Sequence, residues 1–447
     1  MLFRSIRKYW LMLTCRSLQK RRWPMLIKLI PCFLLVTYVV HKMTPNTINT
    51  TTIGEEKSSS DYDYQHDQTF LNSPQVNSLS PKALRTLINS TNKHEIIFNI
   101  DKYDSIGSDD PVIVIQVHDR VEYLRALINS LESVEGIDQS LIIFTHDVYN
   151  PTINTIIQSI NFCKVIQLFY PFSIQAYPNE FPGTDPKDCP RDINQQKAMA
   201  MKCQNSEHPD TYGHYREAVY TQTKHHWFWK MNTIFDKLNA TKNHNGPFIF
   251  LEEDHYVSPD LLFMLKSMIA YKIKNNLDVN LYTLGAYVKI FNYASNGNKL
   301  DINRWVSSQH NMGFVLLRDV WNQIRSCSKH FCTYDDYNWD WSLQHISEKC
   351  LTKPLMTLSV IAPRVFHVGE CGVHHKKVDC SKNKLISKVQ QTLKAAIKYL
   401  FPSQLILAKS NRKNFKMPKV NGGWADIRDQ ILCLQQVVHP EKMEPFK

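Results

Sequence analysis

The sequence predicts an α/β fold, a Rossmann-like mixed sheet flanked by helices and stiffened by disulfides. Three observations predict it. Short apolar runs alternate with amphipathic stretches from Pro111 onward. The first of these runs is apolar almost throughout, as expected of a strand covered on both faces. Three runs then end in polar clusters: Gln116-Val117-His118-Asp119-Arg120, His146-Asp147 and Glu252-Glu253-Asp254. In open α/β sheets ligands bind beyond the carboxyl ends of the strands, so these clusters are expected to meet at one crevice.

Before that body the chain changes character twice. Residues 1–42 carry nine Lys/Arg and no Asp or Glu, which leaves only +3 of the net +12 for the other 405 residues. A nearly neutral body argues against a broad nucleic-acid-binding face. The basic tail, 1–22, precedes an apolar stretch, Trp23 to Val40, close to the minimum length for a bilayer span. No small-residue cleavage site follows it. It reads as a signal-anchor with the tail in the cytosol and everything after it in the lumen. Residues 41–105 are rich in Ser, Thr, Asn, Gln and Asp. Too little apolar surface is present to offset ordering entropy, which predicts a flexible stem. The catalytic body is placed at 106–447. Sequons at Asn49, Asn89 and Asn239 suit a lumenal chain.

Within the body, Pro111–Val117 (PVIVIQV) predicts a central strand. The next stretch, DRVEYLRALINSL, sets Val121, Leu124, Leu127, Ile128 and Leu131 on one helical stripe. LIIFTHD (141–147), a helix near 151–160 and VIQLFY (165–170) continue the alternation. FIFLEED (248–254) is another central strand, with a helix after Ser258-Pro259-Asp260. Between them, REAVYTQTKHHWFWK predicts a helix. Its stripe Val219, Thr223, Trp227, Met231, Ile234, Phe235 and Leu238 marks Trp227 as core, while Gln222, Lys224, His225 and His226 lie partly off it. A strand, helix, strand order implies a parallel sheet.

The chemistry is read from what is missing as well as what is present. Neither GxGxxG nor GxxxxGK[ST] occurs, which excludes the usual dinucleotide and P-loop sites. An acidic crevice without a Gly-rich phosphate loop suits a nucleotide sugar whose diphosphate is held by a divalent cation. Glu252-Glu253-Asp254 fits that need, although a strand surfacing into water would look the same. Tyr334–Trp341 (YDDYNWDW) mixes carboxylates with aromatic rings that can cover sugar faces. Phe366–Lys377 (FHVGECGVHHKK) offers imidazoles to complete a cation shell; no HExxH pair points to zinc hydrolysis. Nine cysteines follow the anchor, eight in polar contexts and Cys163 opening a strand-like run. Four disulfides and one buried thiol is the natural count in an oxidising lumen.

Long motifs go further. QVHDR, FTHD, PFSIQAYPNEFPGTDPKDCPRD, GHYREA, QTKHHWFWK, FLEEDHY, HNMG, FCTYDDYNWDW, RVFHVGECGVHHKK and NGGWADIRD resemble the N-acetylglucosaminyltransferase II family over about Pro111 to Cys433. The resemblance implies a GT-A fold in a single-pass type II Golgi membrane protein. It implies UDP-GlcNAc as donor, Mn²⁺ as cofactor and the N-glycan of a glycoprotein as acceptor. It implies inverting β-1,2 transfer of GlcNAc to the mannose of the α-1,6 arm, once the α-1,3 arm carries its own GlcNAc. Residue by residue, it places Gln116, Val117, His118, Asp119, Arg120, Asp147, Gln222, Thr223, Lys224, His225 and His226 on the donor. Asp254 and His367 become the metal ligands, and Asp340 the catalytic base. Glu252 and Trp339 are assigned to the acceptor side. It also implies the pairs Cys189–Cys203, Cys327–Cys350, Cys332–Cys433 and Cys371–Cys380. A homodimer is left open.

The chain departs from the family twice. KNNLDV (274–279) lacks a close cysteine pair, and VKIFNYASNGN follows Tyr287 where an Arg would touch the donor; Lys289 is the substitute. Two other readings stand beside this one: a sister transferase acting on the other arm, and a catalytically silent lumenal lectin.

Overall fold

A computed structural model describes residues 79–288, 290–369, 384–408 and 419–437. The tail, the apolar segment at 23–40, most of the stem and Lys289, Cys371, His374, His375 and Cys380 lie outside these residues. Among the described residues no helix is long and apolar enough to cross a membrane.

The stem ends earlier than the composition predicts. Helix α1, Pro81–His94, opens the domain. Ser80 caps it by accepting from the Ala83 N–H, and Pro81 occupies its first turn, where no amide donor is needed. Leu84, Leu87 and Ile88 are buried against Tyr149, Phe169 and Ala176. Asn92 then clamps the end of the strand Lys164–Phe169, donating to the Phe169 carbonyl at 2.6 Å and accepting its N–H at 2.8 Å. Three apolar residues in a Ser/Thr/Asn-rich stretch were too sparse a signal to register as a helix.

Among the described residues twelve strands follow: β1 Ile97–Phe98, β2 Val112–Val117, β3 Leu141–His146, β4 Lys164–Phe169, β5 Phe248–Glu252, β6 His255–Val257, β7 Leu281–Thr283, β8 Lys299–Arg304, β9 Phe314–Leu316, β10 Met356–Val360, β11 Val365–His367 and β12 Ile406–Leu407. Ten form one mixed sheet in the order β1-β4-β3-β2-β5-β9-β7-β10-β8-β12. β4, β3, β2 and β5 run parallel, as the sequence predicted. β9 is antiparallel to both neighbours, so the sheet is mixed. β6 and β11 form a separate antiparallel ribbon.

The helices that matter are α2 Val121–Glu132, α3 Pro151–Gln158, α4 Ala218–Asn232, α5 Leu261–Lys274, α6 Arg318–Ser326, α7 Trp339–Lys349, α8 Lys384–Ala396 and α9 Ile427–Gln435. Period-two alternation divides the sheet faces. Ile113, Ile115, Val117, Ile249 and Leu251 face α2, α3 and α5. Val112, Val114, Phe248 and Phe250 face α4, α6 and α7.

α4 corrects one prediction. Lys224 to Asn232 are all buried, nine in succession, while Val219 at the proposed stripe is 60% exposed. The helix lies inside the protein, between the sheet and the C-terminal segment, so it has no single apolar face. Trp227 is core, as expected. Disulfides join Cys189–Cys203, Cys327–Cys350 and Cys332–Cys433, and Cys163 is free and buried. Burial pushes the Cys163 thiol up to about 12, so it stays protonated. Each bridge typically adds about 2–4 kcal/mol.

Candidate active site

Chain order sets the crevice. After β2, the strands β3 and β4 are laid to one side; β5 then returns to the other side of β2. The carboxyl ends of β2 and β5 therefore flank the point where the sheet reverses direction, the usual place for a ligand. Gln116 and Glu252 are register partners there.

The polar strand ends do converge. Arg120 donates from Nε to Glu253 Oε1 at 2.6 Å and from Nη1 to Asp254 Oδ2 at 2.7 Å. The His118 backbone N–H donates to Glu253 Oε2 at 2.8 Å. His118 Nδ1 lies 2.6 Å from Asp147 Oδ1, and Gln222 Nε2 donates to Asp147 Oδ2 at 3.2 Å. Burial works against a charged His118, but the bond and charge of Asp147 prevail and lift it to about 9. Asp147, in turn, is held well below the usual carboxylate range: burial opposes this, and the bonds from His118 and His226 outweigh it. Val117 and Asp119 flank His118 on the same strand end; Asp119 is exposed and Thr223 half-buried.

Glu252 and Glu253 part company, as alternation along a strand requires. Glu253 is 1% exposed and spent on Arg120 and His118. Glu252 lies on the α4 side, half-buried. Burial, and next the charge of Asp254, raise its pKa, while Lys230 opposes the shift.

Two donor-side assignments are corrected. Lys224 is fully buried, and its Nζ donates to the carbonyls of Tyr334 and Asp336 at 3.0 and 2.9 Å. His225 Nε2 lies 2.8 Å from Asp429 Oδ1. Both look toward the C-terminal segment, on the side of α4 away from the crevice. Successive helical residues diverge by about 100°, so a contiguous QTKHH run cannot all line one site. His226 does face Asp147, at 3.7 Å. Trp339 is corrected too. It is 6% exposed and stacks on Trp227 with ring centroids 4.7 Å apart and planes at 5°. It is a core residue rather than a sugar platform.

Three residues could together hold a cation: Glu252, Asp254 and His255 place ligand atoms within 4.8 Å of one another. Hydrogen bonding sets His255 aside. Its Nδ1 is 3.1 Å from the Glu252 backbone N–H, which can only donate. Burial keeps the ring neutral, at about 3, so the proton sits on Nε2 and no lone pair remains for a metal. His367 is different: its Nε2 lies 3.2 Å from Asp254 Oδ2 and its side chain is 39% exposed. Asp254 Oδ1 is buried and accepts no hydrogen bond among the described residues, although its carboxyl is held well below the usual range. Burial alone would raise it; His367 and Arg120 outweigh burial. A buried, ionised oxygen with no donor suits a divalent cation. Gly369 leaves room beside the other oxygen of this carboxylate, since a Cβ there would sit 2.3 Å from Asp254 Oδ2. This glycine was missed in the sequence, where FHVG drew attention only to its histidine.

Asp340, in the first turn of α7, is half-buried. It accepts from Asn311 Nδ2 at 3.1 Å on Oδ2 and from the Trp341 N–H at 3.0 Å on Oδ1. Burial, and then the negative charge of Glu252, raise it to about 7. Tyr287 donates to Asn311 Oδ1 at 3.0 Å. Burial and then the charges of Glu252, Asp340 and Asp254 raise its phenol well above the ordinary range. The remaining acids of YDDYNWDW are structural. Asp335 accepts from Thr211 and the Trp424 N–H, and Asp336 from Asn338 and Asn421.

A cavity of about 430 Å³ is walled by Arg191, Asp210, His214, Tyr215, Glu217, Tyr220, Tyr337, Asn421 and Gly423. Tyr220 is two residues from Gln222, and Tyr337 is three from Asp340. Their rings lie 5.0 Å apart. The sequence did not reveal this cavity, because its walls come from four distant segments.

A cation-ready Asp/His pair next to a carboxyl titrating near neutrality is suited to moving a sugar off a diphosphate carrier. Fold and site together define a glycosyltransferase. The family pattern of N-acetylglucosaminyltransferase II (MGAT2) matches residues 85–433. The chain is 42% identical over 360 residues to the alpha-1,6-mannosyl-glycoprotein 2-beta-N-acetylglucosaminyltransferase of Sus scrofa, covering 80% of each. It is 42% identical to that of Homo sapiens (78% of each) and 32% identical to that of Arabidopsis thaliana (75% of this chain, 76% of the relative). This chain belongs to the N-acetylglucosaminyltransferase II family. Among solved structures, S. aureus TarS in complex with UDP-GlcNAc aligns at a TM-score of 0.33 and 7% identity, over 73% of this chain and 71% of TarS; that likeness is too weak to bear on function.

Proposed function

We propose that this chain transfers GlcNAc from UDP-GlcNAc in β-1,2 linkage to the α-1,6-arm mannose of an N-glycan whose α-1,3 arm already carries GlcNAc. The observation that carries the reading is Asp340, a carboxyl raised to about 7 at the rim of an acidic, cation-ready crevice. A general base works best when its pKa lies near the operating pH. Asp340 removes the proton from the mannose 2-hydroxyl as that oxygen attacks the anomeric carbon from the face opposite UDP. One base and no covalent intermediate give inversion. Mn²⁺, held by Asp254 and His367, would supply charge neutralisation for the departing diphosphate. Arg120 keeps Asp254 ionised and fixes its orientation. His118, charged through Asp147, adds a cation on the donor side.

The cavity between Tyr220 and Tyr337 supports the acceptor requirement. It is large enough for a sugar ring. Its tyrosines offer ring faces, and Arg191, Asp210 and Glu217 offer hydroxyl partners. We assign the GlcNAc of the α-1,3 arm to it. The basic tail and the apolar stretch at 23–40 support a single-pass anchor with the catalytic body in the Golgi lumen. Incubation with UDP-GlcNAc and a defined acceptor, followed by linkage analysis with and without chelator, tests the whole reading. Product at any position other than the 2-hydroxyl of the α-1,6-arm mannose, or none at all, overturns it.

A further inference from the structure

Lys230 lies on α4, one turn beyond His226, in a stretch where every neighbour is buried. It is 2% exposed, yet it carries an amine. Its Nζ donates to Gln116 Oε1 at 2.8 Å and sits 5.8 Å from the Phe250 ring centroid. Burying an amine is costly unless the position is needed. An aliphatic residue would fill the same space beneath the sheet without that cost.

The contact has a directional consequence. A lysine amine bound to Oε1 acts as donor and so dictates which end of the Gln116 amide faces it. The oxygen must face Lys230, so the NH₂ group must face away from it. Gln116 is the last residue but one of β2, half-buried at the carboxyl end of the sheet. Without the lysine, the amide could turn over and present oxygen instead. With it, the nitrogen end of the amide is turned away from Lys230.

We infer that Lys230 is a positioning residue for the donor nucleotide: it locks the Gln116 amide with its N–H groups toward the crevice, where they meet an acceptor oxygen of UDP. The inference rests on the proposed use of UDP-GlcNAc and adds a residue one layer behind the ligand. Lys230 does not touch the nucleotide itself.

The test is UDP binding to the full chain in the presence of Mn²⁺, by calorimetry, with donor KM and kcat measured alongside. Lys230→Met keeps length and apolar bulk but loses the donor. The expected result is about tenfold weaker UDP binding, the scale of one hydrogen bond, seen as a raised donor KM with little change in kcat. Gln116→Leu should lose about as much, and the double variant no more than either single one, because both changes remove the same contact. Gln116→Glu covers the case in which Lys230→Met fails to fold. It keeps an oxygen for Lys230, so thermal stability should hold, but it removes the N–H donors, so UDP binding should still fall about tenfold. UDP binding at the wild-type level in Lys230→Met or Gln116→Glu, or losses that add in the double variant, overturns the inference alone. Failure of the unmodified chain to bind UDP overturns the donor assignment with it.

Discussion

Asn311 donates its side-chain amide to Asp340 Oδ2 at 3.1 Å. The carboxyl is therefore held in one orientation while its pKa stands near neutrality. Asp340→Asn keeps the shape and removes the base. Turnover should fall about 10²- to 10⁴-fold while UDP still binds. Single-turnover transfer and UDP titration on the same preparation separate the two effects.

The pH profile should carry the same signature. Only the ionised carboxylate accepts a proton, so kcat/KM should rise with pH and level off above about 7. Glu252 raises Asp340 by like-charge repulsion. In Glu252→Gln that repulsion is gone, and the rising limb should move to lower pH. A limb that stays in place would mean that Asp340 is not the titrating base.

Asp254→Ala should abolish the cation-dependent part of UDP binding. In chelator the variant and the parent should bind alike. Gly369→Ala should reproduce the defect without touching a charged group, because its methyl would enter the space beside Asp254 Oδ2. Calorimetry with and without Mn²⁺ reads both.

The His118–Asp147 pair makes a prediction about titration. Asp147 holds His118 at about 9 against an ordinary value of 6.5. A folded-state pKa raised in this way adds stability that is complete below pH 6.5 and fades as pH rises through 9. Half of the His118 side chain is exposed, so the gain is small. Asp147→Asn should bring the His118 transition back toward the ordinary value, as read by NMR titration of the ring protons.

Trp339→Ala should be a folding defect rather than a binding one. The ring stacks on Trp227 inside the core, and such truncations cost about 3–5 kcal/mol. Denaturant unfolding should show the loss, while the acceptor KM of the molecules that remain folded should change little.

The parallel half of the sheet was legible because β2 to β5 are long apolar runs with no competing periodicity. So was the convergence of Gln116–Arg120, Asp147 and Asp254, which follows from strand direction alone. The errors share a cause. Lys224, His225 and Trp339 lie beside groups that do face the crevice, and sequence adjacency does not say which way a helical side chain points. Lys230 was hidden in the same way: at the end of an aromatic run, nothing in the local pattern marks it out. The cavity near Tyr337 and the α1 helix depend on contacts between distant segments, which no local pattern encodes.

Asp254 follows β5 and leads into β6, His367 ends β11, and the two short strands pair with His367 opposite His255. The Asp254 carbonyl also accepts the Val368 N–H at 2.9 Å. The spacing of Asp254 and His367, the pair proposed to hold the cation, is thus a matter of backbone register, like the teeth of a closed zipper, and not of side-chain reach. The long stretch between Val257 and Val365 can gain or lose loop residues without spreading the pair. A slip of one tooth, by contrast, would turn His367 to the opposite face of the ribbon. Damage to this centre should come in whole steps: the pair is either built or absent, with no graded intermediate.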